Sequence, residues 1–156
     1  MPPDSSYSRF DLLVFSVPGL PALSLAVAVI EVLESAELAL PTPIPLAPPV
    51  LLGLSEWHGR AVTVVDLARL LGTQNVPLIA GDYRFLVVQL VVNTQLDYIT
   101  WPILPGASIY RAPAQVPQAE QPDFLNPALV RTSINADGDS LILLNLDNLA
   151  ATICQQ

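Results

Sequence analysis

The sequence predicts a mainly β fold, arranged as two small barrel-like lobes of mostly antiparallel strands with short helices. Three observations carry this expectation. Apolar residues make up 52% of the 156-residue chain and charged residues only 13%, with a mean hydropathy of +0.51. Sixteen prolines punctuate much of the chain, a combination that suits short buried strands joined by proline-set turns and opposes both long helices and disorder. Finally, Val62–Leu71 (VTVVDLARLL) and Leu141–Ala150 (LILLNLDNLA) share an apolar strand, a capping Asp66 or Asn145, and a short helix with apolar residues at matching positions, as a repeated unit would.

Arg9–Val17 (RFDLLVFSV) reads as the first strand, stopped by Pro18-Gly19, a strong turn pair. Leu20–Leu25 alternates as the returning half of a hairpin. Val27–Leu33 is a further strand or a short helix-to-strand segment. Pro41–Pro49 holds five prolines and must be an extended surface connection, because each proline removes a backbone donor. Gly59 marks a turn, Ala61–Val65 a buried strand, and Asp66 is placed to cap a helix over Leu67–Leu71 that closes at Gly72. After a loop over Thr73–Asp82, Arg84–Val92 and Leu96–Trp101 form paired strands about Asn93-Thr94, ended by Pro102 and Pro105-Gly106. Ala128–Asn135 and Ser140–Leu144 flank Asp137-Gly138, a strong hairpin signal, and Asn145 is placed to cap a last helix over Leu146–Ile153.

The chain has the size of one domain able to bury its own core. A net charge of −8 opposes nucleic acid and anionic lipid, whose binding rests on clustered Lys and Arg. The single Cys154 forms no internal disulfide, so a cytoplasmic location is expected. Leu12–Leu33 is apolar enough to mimic a membrane span, but Pro18, Gly19 and Pro21 inside it would leave backbone groups unpaired in lipid, and no membrane insertion is expected.

No catalytic or metal chemistry is assembled by the pattern. One Cys and one His, without an acidic cluster, supply no metal-ligand set, and neither metal nor cofactor is expected. No glycine-rich phosphate cradle is present. Gly53-Leu54-Ser55-Glu56-Trp57 begins like a nucleophile elbow but puts Trp57 where a second glycine must permit a sharp turn. A Ser55–His58 hydrolase would also need a base three residues from its nucleophile. The carboxylate pairs Glu31/Glu34 and Asp137/Asp139 read as solvated surface groups beside a strand and at a turn.

Leu52–Leu71 (LGLSEWHGRAVTVVDLARLL) resembles the signature of CheW-like domains, in which a G-x-x-N-L-R-G turn leads into a strand ending in V-D-L and a short helix; Gly53, Gly59, Val65, Asp66 and Leu67 match. An opening F-L-V-F strand (Leu12–Phe15), a V-x-E-V segment (Val29–Val32), a proline-bearing connection and a closing D-G hairpin follow in the family's order, from about Arg9 to Ile153. The resemblance implies one domain over residues 1–156, of two packed five-stranded SH3-like barrels. It does not fix the strand exchange between lobes: one would hold either 9–17 with 84–112, or 20–72. It further implies a non-catalytic adaptor that binds the regulatory domain of a CheA-type histidine kinase and the tip of a methyl-accepting chemoreceptor. Val29, Glu31, Val32, His58 and Gly59 fall at the positions assigned to partner binding.

Two departures stand out. His58 replaces the arginine of N-L-R-G, exchanging a permanent five-donor fork for a ring with at most two donors, and Thr100-Trp101 replaces the second lobe's valine-aspartate pair. Both are expected to alter partner contacts. Trp57 is expected either as a wall of the first lobe or as an exposed anchor. The alternative to the adaptor is a degenerate barrel acting as a structural or oligomerising partner.

Overall fold

The computed structural model describes residues 11–73, 83–92, 95–113 and 118–154. Ten strands are present among the described residues: β1 (Asp11–Val17), β2 (Leu20–Ala28), β3 (Val32–Ala36), β4 (Leu51–Trp57), β5 (Arg60–Val65), β6 (Arg84–Val92), β7 (Gln95–Ile103), β8 (Ser108–Arg111), β9 (Val130–Ala136) and β10 (Asp139–Leu144). Helices α1 (Leu67–Leu71) and α2 (Asp147–Cys154) follow β5 and β10. The strands form two five-stranded sheets, ordered β8-β1-β2-β10-β9 and β3-β6-β7-β5-β4.

Burial on both faces explains why so many strands are continuously apolar. In β1, Phe15 and Val17 enter a large core shared by the two sheets, while Leu12 enters a smaller cluster with Ala26, Ile134, Ala136 and Leu141. In β6, Leu86, Val88 and Leu90 enter the shared core, and the alternate residues Phe85 and Val87 are also buried. Phe15 of one sheet meets Trp101 of the other at a ring-centroid distance of 5.9 Å. Trp101 is 0% exposed, and its indole N–H has no acceptor among the described residues.

Residues 48–66 are repeated at one constant spacing in residues 127–145. Leu51 N–H donates to the Pro48 carbonyl and Val130 N–H to that of Pro127. Asp66 N–H donates to Val50 and Asn145 N–H to Leu129, both at 2.8 Å. His58-Gly59 (φ 50° and 75°) and Asp137-Gly138 (φ 53° and 93°) turn the equivalent hairpins, each with the paired positive φ of a type I′ turn. The two repeats exchange strands. The first gives β1 and β2 to one sheet and β3, β4 and β5 to the other; the second gives β6 and β7 to the latter and β8, β9 and β10 to the former. Sheet membership therefore follows neither expected division, 9–17 with 84–112 or 20–72. Each sheet also contains one parallel pair, β2 with β10 and β5 with β7.

One edge strand of each sheet is covered. Thr42 exchanges two backbone bonds with Leu54 of β4, at 2.8 and 2.9 Å, and Gln118 bridges Ile134 of β9. Pairing protects an edge that would otherwise recruit another strand. Gly53 permits this contact: its φ is +141°, and a Cβ there would lie 2.1 Å from the Thr42 carbonyl oxygen.

Several expectations change in detail. Arg9, Phe10 and the Asn93-Thr94 turn lie outside the described residues. The Leu12–Leu33 stretch folds as β1, β2 and a 3-10 turn over Val29–Glu31 before β3, and among the described residues no helix is long and apolar enough to cross a membrane. Pro102 does not end β7, which continues to Ile103 opposite β6. The strand tolerates it because β5 contacts β7 only at Ile99 and Thr100, so no pairing with β5 is lost at Pro102. Asp66 caps α1 as expected, accepting from Arg69 N–H at 3.1 Å. Asn145 does not cap α2 with its side chain, whose Oδ1 is buried without a partner; the first turn closes instead through Asn148 N–H to the Asn145 carbonyl.

Two measurements test this core. Trp101→Ala should cost about 3–5 kcal/mol in urea unfolding, and Trp101→Phe clearly less, because it fills most of the space and deletes the orphan N–H. Burial pushes the Asp66 carboxyl above its ordinary 3.8, with the Arg69 N–H and charge pulling it back. The folded state thus holds this proton more tightly than the unfolded chain, so the residue's contribution to stability falls as pH rises through the range just above 3.8. At pH 7, Asp66→Asn should match or exceed the parent in stability, while Asp66→Ala should lose about 1 kcal/mol with the cap.

Candidate partner-binding site

The residues singled out in the sequence gather around β3, the strand that enters the second sheet. A 3-10 turn over Val29–Glu31 carries the chain from β2 to β3. Val29 and Glu31 are half-buried within it, while Ile30 between them is 73% exposed. Val32 packs against the shared core and pairs with Val88 of β6; Leu33 is again exposed. A tight turn anchored by half-buried residues thus displays an apolar side chain to solvent.

Glu31 lies in a charged corner made with the first sheet. Burial pushes its carboxyl above the ordinary 4.5; the Ala28 backbone and the charge of Arg131 oppose the rise, and Asp147 adds to it. Arg131 in β9 also reaches Asp147 of α2 at 3.5 Å. Charges from the second repeat therefore act on this residue of the first.

His58 and Gly59 form the β4–β5 turn, where both positions have positive φ. The His58 ring places Nε2 3.0 Å from Glu34 Oε1, joining the β4–β5 hairpin to β3, strands at opposite ends of the second sheet's order. That hydrogen bond is the largest influence holding the Glu34 carboxyl below its ordinary 4.5, with Trp57 and the charge of Arg84 acting in the same direction. The His58 ring meets Trp57 edge-on at 4.8 Å, Trp57 lies 5.5 Å from the Tyr98 ring, and the Arg60 guanidinium sits 5.0 Å from the Tyr98 centroid. Arg84 donates to Ser35 Oγ at 3.0 Å and reaches Glu37 at 3.6 Å. The resulting polar groove of about 430 Å³ is lined by Glu34, Glu37, Glu56, Trp57, His58 and Arg84 among others.

The five expected residues thus fall into two groups linked by β3. His58 reaches Glu34, while Glu31 feels the charge of Arg131. Sequence reasoning missed Glu34 as a partner, having set it aside as a solvated carboxylate, and missed Arg131, whose approach depends on the exchanged β9. The available signal for Ile30 was an apolar residue inside the V-x-E-V segment.

Other candidates are used structurally. Ser55 is buried and donates its hydroxyl to the Ala39 carbonyl at 2.7 Å, so neither it nor His58 is joined to the other in a nucleophile–base pair. Among the described residues no group of three or more His, Cys, Asp or Glu side chains stands ready for a metal. Trp57 is half-buried; its enclosed indole N–H makes no hydrogen bond of full geometry but lies close enough to Glu34 to help lower that carboxyl. Thr100 and Trp101 are both 0% exposed. The departure at Thr100-Trp101 therefore turns both side chains inward: Thr100 donates to the Leu86 carbonyl and Trp101 fills the core.

A family model for the CheW-like domain matches residues 11–96, more than half of the chain. The chain belongs to the CheW-like domain family. The crystal structure of the scaffolding protein TtCheW from Thermoanaerobacter tengcongensis superposes with a TM-score of 0.73 at 18% identity, covering 90% of this chain and 87% of that one; at this identity the likeness shows a shared fold. No curated protein matches the chain as a relative. Both parts of the candidate site, Val29–Val32 and Trp57–Gly59, lie within the CheW-like match.

The His58–Glu34 contact in this CheW-like domain is open to direct titration. Carbon-detected NMR should find the Glu34 carboxyl titrating below 4.5 and moving back upward in His58→Ala. Because its folded value is depressed, the contact supports the fold above the unfolded carboxylate range and is lost as pH falls through the folded value. An unchanged Glu34 titration in the variant contradicts the pairing.

Proposed function

We propose that this CheW-like domain is a non-catalytic adaptor that couples a chemoreceptor tip to the regulatory domain of a CheA-type histidine kinase, in a chemotaxis or pilus-motility system, at the cytoplasmic face of the membrane. Family membership supports the adaptor reading. The observation that carries it to a surface is the Val29–Val32 turn, where Ile30 and Leu33 are exposed beside the half-buried Glu31. An exposed apolar side chain on a rigid, backbone-bonded turn loses little conformational entropy on docking, the property that favours an interface anchor. Val29, Glu31 and Val32 form one part of this surface; His58 and Gly59 form the other, held against β3 through Glu34.

The substitution of His58 for the family's arginine bears on what this surface recognises. The ring offers one donor or acceptor on each nitrogen, and Nε2 is already directed at Glu34. A partner carboxylate that would grip a guanidinium in two parallel bonds finds no such fork here. The partner surface facing His58 instead meets the Trp57 and histidine rings beside the carboxylates of Glu34 and Glu56.

Calorimetric titration with the regulatory domain of a kinase encoded beside this chain, and with a receptor-tip fragment, tests the reading. Ile30→Asp should weaken binding to one of these partners at least about tenfold, a loss of about 1.4 kcal/mol, with the circular-dichroism spectrum unchanged. Absence of binding to either partner by the unmodified protein contradicts the adaptor function.

A further inference from the structure

The β4–β5 hairpin matches the family signature at both glycines while changing the chemistry between them. Gly53 and Gly59 stand in their places, His58 and Gly59 both have positive φ, and the register runs unbroken from Gly53 opposite Val64 to Trp57 opposite Arg60. The N-L-R of the signature nevertheless reads Glu56-Trp57-His58. Asparagine to glutamate adds a negative charge, arginine to histidine removes a permanent positive one, and leucine to tryptophan adds an aromatic face. Three consecutive positions thus change in the direction that suits a cation in place of an anion.

The groove beside this turn has the same bias. Its lining sets the carboxylates of Glu34, Glu37 and Glu56 against the guanidinium of Arg84. Arg84 is engaged within the molecule, donating to Ser35 Oγ at 3.0 Å and lying 3.6 Å from Glu37, and Glu34 is matched by His58 Nε2. Glu56 projects to solvent from β4 beside the buried Ser55, and among the described residues it makes no hydrogen bond or ion pair. Like charges gathered in one groove repel, and a cation brought by a partner relieves them.

The walls determine the form of that cation. Among the described residues no three acidic, His or Cys side chains converge where a metal ion could sit, so the carboxylates suit a charge that is spread out and carried on a flexible stem. The walls are also aromatic: His58 stands edge-on to Trp57 at 4.8 Å, and Trp57 lies 5.5 Å from Tyr98. At the far end of this row the protein seats a guanidinium of its own, Arg60, 5.0 Å from the Tyr98 centroid. A guanidinium is planar and weakly hydrated, stacks on rings and bonds carboxylates in parallel pairs, so it matches both kinds of wall. The net charge of −8 draws a basic surface toward it from a distance.

We propose that the groove between β3 and the β4–β5 turn receives an arginine side chain of the protein that docks on the Val29–Val32 turn, with the guanidinium held by the Glu56 and Glu34 carboxylates against the Trp57 ring. The inference rests on the adaptor reading and names the chemistry of its partner. One partner covers both places, because the exposed Leu33 and the groove residue Glu34 are neighbours in β3. The contact is opposite in polarity to one made by an arginine on this side: here the adaptor supplies the carboxylate and the partner the guanidinium. Added salt therefore weakens it.

Calorimetric titration of the full chain tests it, with the receptor-tip fragment and the kinase regulatory domain each as titrant at low and high salt. Glu56→Lys, at an exposed strand position, should keep the parent's circular-dichroism spectrum and weaken the complex that Ile30→Asp weakens, at least about tenfold. Glu56→Gln should weaken it less and make its salt dependence shallower. His58→Arg, which puts the signature's own residue back, should weaken it as well. An arginine-to-glutamate change in the partner should lose the parent and bind Glu56→Lys. Three results overturn this inference while leaving the adaptor reading intact: a Glu56→Lys protein that binds both partners as tightly as the parent, a His58→Arg protein that binds more tightly, or a parent complex indifferent to salt. A parent that binds neither partner overturns the adaptor reading and this inference with it.

Discussion

Everything in this structure depends on one apolar core lying between two sheets that neither repeat can build alone. Each repeat supplies a hairpin to one sheet and three strands to the other, so the faces that meet at Phe15 and Trp101 come from both ends of the chain. Strands serving this arrangement are buried on both sides, which is why the sequence is so apolar. The same constraint displaces polar groups to the turns, the crossovers and the helix starts, and the few that remain inside are backbone-bonded, as Thr100 is, or left unpaired, as the Trp101 indole is.

The candidate site follows from the exchange. A chain that leaves one sheet for the other must cross the seam, and the crossing here is a 3-10 turn whose half-buried residues fix it while Ile30 projects. The second sheet then curls until its far hairpin meets β3 through His58 and Glu34. The candidate residues are thus positioned by the closure of the barrel, all of them on strands and tight turns. The absence of a Ser55–His58 pair has the same origin: Ser55 helps attach the connection after β3 to β4.

Local chemistry was legible in the sequence wherever one or two residues decide the backbone. Pro18-Gly19, His58-Gly59 and Asp137-Gly138 mark their turns, Asp66 caps its helix, and the repeat of strand plus helix is visible in the letters. The family pattern located Val29–Val32 and His58-Gly59 as a surface region. Lobe membership was not legible, because a strand apolar on both faces lacks the alternation that reveals which side meets which neighbour. β8 was invisible for the opposite reason, being short and mostly exposed. The departure at Thr100-Trp101 was legible against the family pattern, but the complete burial of both side chains was not, because it depends on the sheet that faces them. Asn145 looked like Asp66 in sequence, but its helix closes its first turn through the backbone.

The central claim, that the two sheets form one body through a core neither repeat completes, predicts a single cooperative unfolding event. Urea unfolding of a Trp57→Phe background, followed both by tryptophan fluorescence and by far-ultraviolet circular dichroism, tests it most directly, since Trp101 then alone reports the seam and the dichroism reports the strands of both sheets. The account predicts coincident transitions with one midpoint. Separate midpoints, with the seam lost while one sheet persists, would contradict it.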